Sequence, residues 1–502
     1  MHLLNTIRPV FWILTLFPFI TGTLNAQEQM TLQQCRERAM EQNKEIGMAN
    51  ENELMVSSLE KSAKTLYYPN IKFNGGYFRM NQQFSLFSEN MFLPVVPQEV
   101  FRNGLSVLDP KENPDLVRET MVTQDYNGIP LPVEDPETGN PLFDKYALLP
   151  KDEAKFDLQN VFFGNIGLMQ PLYMGGKIKQ TNKIAGYGKQ MMQAKKNVTE
   201  SEVIVETDKR YWEVISLKEK VTLAEEYLKR LNSLLADVKN LHDEGIVTNN
   251  KVMQVQVKQN KVELQLTKAR NGLKLARMAL NQTLSFPLDT LVRLSDSLGG
   301  VDQLSSPSAY KKQALQQRPE IQALDKGVKI AKSGEELMKS RYLPNVGLTA
   351  NYTFTNPNLW NGFENEFGGT TNVGVFINVP IYNWGERKHT LEAVRHKKRA
   401  SMKKLEQTRE LISLEVKKAV FRYNESIKKV EMTKSSLEQA KENLRTTKDN
   451  FEEGMAKSTD VLEAQSMWQE AYADYIEAMT EHKLNKTKLM KASGQLIQSD
   501  KQ

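Results

Sequence analysis

Two carboxylates, Asp460 and Glu463, stand three residues apart a short way past Gly454, and on a helix that spacing sets both on one face. Their chemistry is electrostatic; a pair of like charges attracts cations and by itself breaks no bond. The other reactive residue types are sparse. His389 and His396, seven apart, share a helical face, yet two ligands make a poor metal centre. Cys35 is the only cysteine and has no internal disulfide partner. There is no phosphate loop of the G-x-x-x-x-G-K-[ST] type, no H-E-x-x-H and no paired C-x-x-C, nor an assembly that would activate a Ser or Cys nucleophile. No enzyme is expected from these residues, and neither a cofactor nor a metal. The formal charge of +6 is mild for 502 residues, and the basic run Arg395 to Lys404 reads as the solvated face of a long helix, so no nucleic-acid partner is expected.

The frame that positions these residues is written twice. Ala39, Glu45, Ile46, Tyr67, Pro69 and Asn70 recur 275 residues later as Ala314, Glu320, Ile321, Tyr342, Pro344 and Asn345. A second set, from Pro171, Tyr173, Gly176, Glu244, Gly245 and Val252, recurs 209 residues later as Pro380, Tyr382, Gly385, Glu453, Gly454 and Val461. Two copies of one unit therefore stand in tandem, and the smaller second offset locates a large insertion in the first copy, between Asn70 and Pro171.

Each copy promises a long helical hairpin. No proline falls between Gly176 and Gly245, and Leu217, Val221, Ala224, Leu228, Leu231, Leu235 and Val238 step by fours and threes. At about 1.5 Å per residue such a helix extends roughly 100 Å. The returning arm repeats the pattern from Val255 to Leu280, and a second stripe at Leu223, Tyr227, Leu234 and Leu241 predicts neighbours on both flanks.

Each copy also promises two strands. Val346, Leu348, Ala350, Tyr352 and Phe354 alternate with polar partners, and Val373, Val375, Ile377, Val379 and Ile381 follow in a second run. The first copy supplies a strand at Ile71, Phe73 and Tyr77 and another from Phe162 to Leu172. Four strands cannot close a membrane barrel, for which about eight is the minimum. Lipid tolerates no open sheet edge, so several chains must share one barrel; three would supply 12 strands. Tyr67, Tyr68, Tyr173, Tyr342, Tyr382 and Trp384 gather where strands meet helices, either as an interfacial belt or as packing at an elbow. Pro69, Pro171, Pro344 and Pro380 mark the same elbows, outside either ladder.

The ends and the insertion complete the frame. Arg8, an apolar run from Val10 to Ile20 and the small-residue exit at Ala26 read as a secretory signal peptide over 1–26, too short in its apolar run to span a bilayer. The insertion, about 80–160, holds nine of the 19 prolines and reads as a long, irregular, extracellular loop.

Together the signal peptide, the two copies of helix, strand, strand and long hairpin, the Tyr-x-Pro-Asn strand entries and the Gly-centred tips resemble the TolC-type outer membrane efflux protein family. The resemblance implies a mainly α fold with transmembrane β: a first repeat at 27–285, an equatorial segment at 286–308, a second repeat at 309–494 and a tail at 495–502. It further implies a homotrimer with a 12-stranded β-barrel in the outer membrane of a Gram-negative bacterium, continued by a 12-helix barrel through the periplasm. Asp460 and Glu463 occupy the positions of two acidic residues that ring the family's periplasmic aperture, although Glu stands where a second Asp is expected; Asp460 also fits as a first-turn acid favoured by the helix dipole. The first tip has Lys251 and Gln254 at the equivalent places. Gly245 and Gly454, with His242, Val247, Met455 and Lys457, mark tips that in the family dock a periplasmic adaptor, which couples the duct to an inner-membrane pump of RND or ABC type. Small-molecule efflux leads, with type I secretion of proteins or peptides through the same duct as the alternative. A soluble periplasmic coiled-coil scaffold is a rival of another class, but it would need the helices without the strands.

Overall fold

A computed structural model describes residues 29–81, 84–98, 100, 108–156, 158–301 and 307–496. The signal peptide, 1–26, and the tail beyond Leu496 fall outside the described residues. Two compact units are present, one helical (residues 29–64, 176–341 and 383–496) and one of strands (residues 65–175 and 342–382).

In the helical unit, short helices α1 (Leu32–Gln42) and α2 (Lys44–Thr65) precede the long hairpin α3 (Lys177–Asp243) and α4 (Asn249–Thr283). Short helices α5 (Pro307–Gln317) and α6 (Pro319–Ser340) then precede α7 (Glu386–Glu452) and α8 (Ser458–Ser493). The long helices pack in the order α4, α3, α8, α7, with α6 seated on both α3 and α7. Both stripes of α3 feed the core: Leu231, Leu235 and Val238 of the first and Leu223, Tyr227 and Leu234 of the second are buried, and the Tyr227 hydroxyl lies 3.1 Å from Ser466 Oγ on α8. The outer helices keep apolar stripes uncovered. On α4, Met253, Val257, Leu264 and Leu275 are exposed, as are Leu411, Leu414, Phe421 and Met432 on α7.

Buried polar groups tie the short helices to the long ones. Asp208 of α3 is fully buried and accepts from Arg36 Nε of α1 at 2.7 Å and from Thr487 Oγ1 of α8 at 2.5 Å. Glu335 of α6 accepts from Lys398 Nζ at 2.6 Å and Arg395 Nε at 3.2 Å on α7. Those cations, Lys398 first, pull the Glu335 carboxyl down to about 2 from its usual 4.5. A depressed acid adds stability above its unfolded value that is lost as pH falls through the folded one. The thermal advantage of the wild type over Glu335→Gln should therefore hold at neutral pH and vanish as pH falls through about 2; melting curves across that range check it.

In the strand unit, β1 (Asn70–Arg79), β2 (Asn160–Met174), β3 (Asn345–Asn356) and β4 (Gly368–Asn378) form one antiparallel sheet in the order β4, β3, β2, β1. Register places Val373, Ala350, Leu168 and Ile71 in one row and Asn372, Asn351, Gly167 and Lys72 in the next, so one face is apolar and the other polar but for Phe376 and the stacked Phe78 and Phe163. The polar face is cross-bonded, Asn351 to Asn372 at 3.1 Å and Asn165 to Thr353 at 2.7 Å. The apolar face is bare: Val373 is 76% exposed, Ile71 68% and Phe73 65%.

Three sequence expectations need correction. Pro171 sits inside β2, not at its end; the register slips between Val346 and Gly347, its partner, and such a bulge frees proline from donating to the ladder. The last strand stops at Asn378, before Val379, because Pro380 cannot continue the pairing. The described residues of the insertion are not irregular. Met91–Pro94 pairs with Tyr146–Leu149 and Thr123–Tyr126 with Ile129–Pro132, beside a short helix, Pro114–Thr120. Val100, Leu108, Val117 and Met121 form its small core. Its prolines at 94, 130 and 132 lie in two-stranded ribbons, where one side of each strand needs no donor.

Candidate functional site

The two hairpin tips share one backbone design. After α3, Gly245 takes φ 78° and Ile246 N–H donates back to the Leu241 carbonyl at 2.8 Å. After α7, Gly454 takes φ 77° and Met455 N–H donates to the Asn450 carbonyl at 2.8 Å. This left-handed ending closes a helix tightly and favours glycine. Beneath the tips Leu234, Leu235, Val238, Val252, Val255 and Val461 form a core of their own. Val247 is half-buried against it, and the Val247 carbonyl lies 3.0 Å from His242 Nδ1. The apolar side chains that project are Met455, 68% exposed, and Ile246, 64% exposed, a residue the sequence reading passed over; Lys457 is exposed beside them. Its signal was the repeat itself, since Ile246 is the counterpart of Met455.

At the second tip Asp460 caps α8. Its Oδ2 accepts from the Lys457 N–H at 3.0 Å and its Oδ1 from Thr459 Oγ1 at 3.3 Å. Glu463 is exposed on the same face, and beyond it come Glu470, Asp474, Glu477 and Glu481, all exposed and stepping by threes and fours with Met467 as the one apolar member. The first copy inverts the sign: at the positions 209 residues earlier α4 carries Lys251, Gln254, Lys258, Lys261, Gln265 and Lys268. The acidic pair is thus the end of a rail about 30 Å long. Only its first two members stood out in the sequence, although the heptad phase runs on unbroken.

Among the aromatics, Tyr67 and Tyr173 are 50% exposed, Tyr382 71% and Trp384 89%, whereas Tyr342 is half-buried. Trp384 also holds φ 46°, where the first copy has Gly175 at φ 60°. A bulky residue in that region is strained, so the exposed indole is kept at a conformational cost. Cys35 is fully buried, and burial pushes its thiol up to about 12. His396 lies 3.2 Å from Arg399 Nη2. No described helix is long and apolar enough to cross a membrane.

The family model described as outer membrane efflux protein matches residues 159–285 and 311–495, which take in β2 to β4 and both long hairpins. The chain belongs to the outer membrane efflux protein family. Membership places it in the outer membrane, extending into the periplasm. It is similar to the outer membrane efflux protein BepC of Brucella suis, at 24% identity over 44% of this chain and 48% of that protein. It is also similar to the alkaline protease secretion protein AprF of Pseudomonas aeruginosa, at 21% identity over 63% of this chain and 65% of that one. The matches thus span about half to two thirds of these relatives. In fold it resembles the open state of the Neisseria gonorrhoeae MtrE outer membrane channel, with TM-score 0.68 at 16% identity over 93% of this chain and 89% of that one. The efflux-family match covers both Gly-centred tips and the whole acidic rail; most of the proline-rich insertion lies outside it.

Proposed function

We propose that this chain is one third of a trimeric outer membrane duct that carries small molecules outward without chemistry of its own. The observation that carries the reading is the bare apolar face of a four-stranded sheet, Val373, Ile71 and Phe73 among its exposed residues. A face of that size in water is a liability, and in lipid it is the solvent contact a barrel strand needs. Three copies give a closed 12-stranded barrel, and the exposed stripes of α4 and α7, at the two outer sides of the helical layer, meet between protomers in a 12-helix tunnel. The two tandem repeats, 27–285 and 309–494, then contribute equally to the wall, the segment 286–308 girdles it, and the insertion at about 80–160 lies outside the cell.

The tips, Gly245 with Val247 and Gly454 with Met455 and Lys457, dock a periplasmic adaptor, and an inner-membrane pump supplies the energy. Tyr67, Tyr173, Tyr342, Tyr382 and Trp384 sit at the membrane surface. Protein secretion is the second reading, favoured by the likeness to AprF. Deleting the gene and assaying both drug susceptibility and the secreted proteins separates the two. Sensitisation with unchanged secretion supports efflux, and the reverse supports secretion.

Threefold symmetry turns Asp460 and Glu463 into two acidic rings at the entrance. Asp460→Asn with Glu463→Gln removes the charge while Asn keeps the capping acceptor, so the hairpin survives. Single-channel recordings in planar bilayers should show higher conductance and weaker block by multivalent cations. Unchanged conductance would reject the gate.

A further inference from the structure

Basic residues cluster where the chain passes between strand and helix. Lys177, Lys179 and Lys183 follow the last residue of β2 by three to nine positions, with no acidic residue between. Arg341 precedes β3 by four positions, and Arg387 and Lys388 open α7, whose first turn holds one acid, Glu386. All six cations are exposed, and each lies within about 10 Å of helix rise from its helix end. Beside them in the chain stand Ile381, 94% exposed, and Trp384, 89% exposed. Farther along α7, Arg395 and Lys398 pair with Glu335 and Lys403 with Glu406.

We infer that these six cations form a collar that binds anionic glycerophospholipid headgroups, the phosphodiester of phosphatidylglycerol, at the periplasmic surface of the membrane. The inference rests on the channel reading, which sets the strands in the bilayer. Cations next to a spanning segment attract anionic lipid over about one Debye length, close to 10 Å, the reach of these six and not of the distant run. Exposed aromatic and aliphatic side chains beside them suit the boundary between headgroup and acyl chain. The cations are spread over three helix ends instead of surrounding one point, an arrangement that fits a charged surface and not a single small anion.

The test uses the full-length protein inserted into bilayer nanodiscs of phosphatidylcholine with a minor share of phosphatidylglycerol, then re-extracted and its retained lipid measured by mass spectrometry. The wild type should retain phosphatidylglycerol over phosphatidylcholine about tenfold above the input ratio. The variant with all four lysines and both arginines replaced by Gln should lose the enrichment, while Lys→Arg at 177, 179, 183 and 388 should keep it. Added inorganic phosphate should leave it unchanged; displacement by phosphate would mean a small-anion site and overturn the lipid collar. If the Gln variant does not fold, the salt response of the wild type decides. Enrichment that falls between about 50 mM and about 500 mM salt supports the collar, and enrichment that does not change overturns it. Retention equal for the two lipids overturns it as well. Failure of the wild type to enter phosphatidylcholine bilayers at all would instead defeat the channel reading.

Discussion

Asp208→Asn should cost about 3–5 kcal/mol, the largest stability loss expected from any single polar substitution in the helical unit. Asp208 is fully buried and takes hydrogen bonds from Arg36 and Thr487, so three helices meet on one carboxylate. Neutralising it takes the Asp208 charge away from the Arg36 guanidinium, whose side chain is only 12% exposed. The penalty is that of a stranded ion, because a buried pair gains little over an apolar pair of the same volume. The double replacement Arg36→Met with Asp208→Leu should accordingly recover most of the loss. Urea unfolding of the detergent-solubilised protein compares the three; a single-variant loss below about 1 kcal/mol, or a double variant worse than either single, would contradict this assignment.

Ile246→Asp together with Met455→Asp should abolish transport while leaving assembly intact. Both side chains project from tips whose own core lies beneath them, so charge there adds no buried penalty to the hairpin. At a docking surface, apolar anchors of this kind are worth about 2 kcal/mol each. Losing two weakens the adaptor contact on the order of 100- to 1000-fold. The expected result is drug sensitivity equal to that of a gene deletion, with normal levels of trimer in the membrane and no adaptor recovered in a pull-down. Normal adaptor binding would show that docking lies elsewhere.

Much of this architecture is legible in the sequence because it is periodic. Heptads from Leu217 to Val238 and from Val255 to Leu280 fix the hairpin, and alternation from Val346 to Phe354 fixes a strand, since burial on one face forces each period. What stayed hidden depends on partners distant along the chain. Nothing local announces that Pro171 lies at a bulge, because the slip belongs to Gly347 on the neighbouring strand. The Arg36 to Asp208 bond spans 172 residues and has no local signal. Proline count misled in the insertion, where ribbons of two strands tolerate prolines that a wider sheet would exclude. For the acidic pair, the resemblance named Asp460 and Glu463, and the rail that continues to Glu481 emerged only once exposure along α8 could be read.

The central claim is that the sheet of one chain is an incomplete wall. Native mass spectrometry of the particle extracted from outer membranes in mild detergent tests it most directly. A particle of three chains, which aggregates when the detergent is stripped, is the result this account requires. A single folded chain, stable in buffer without detergent, would contradict it.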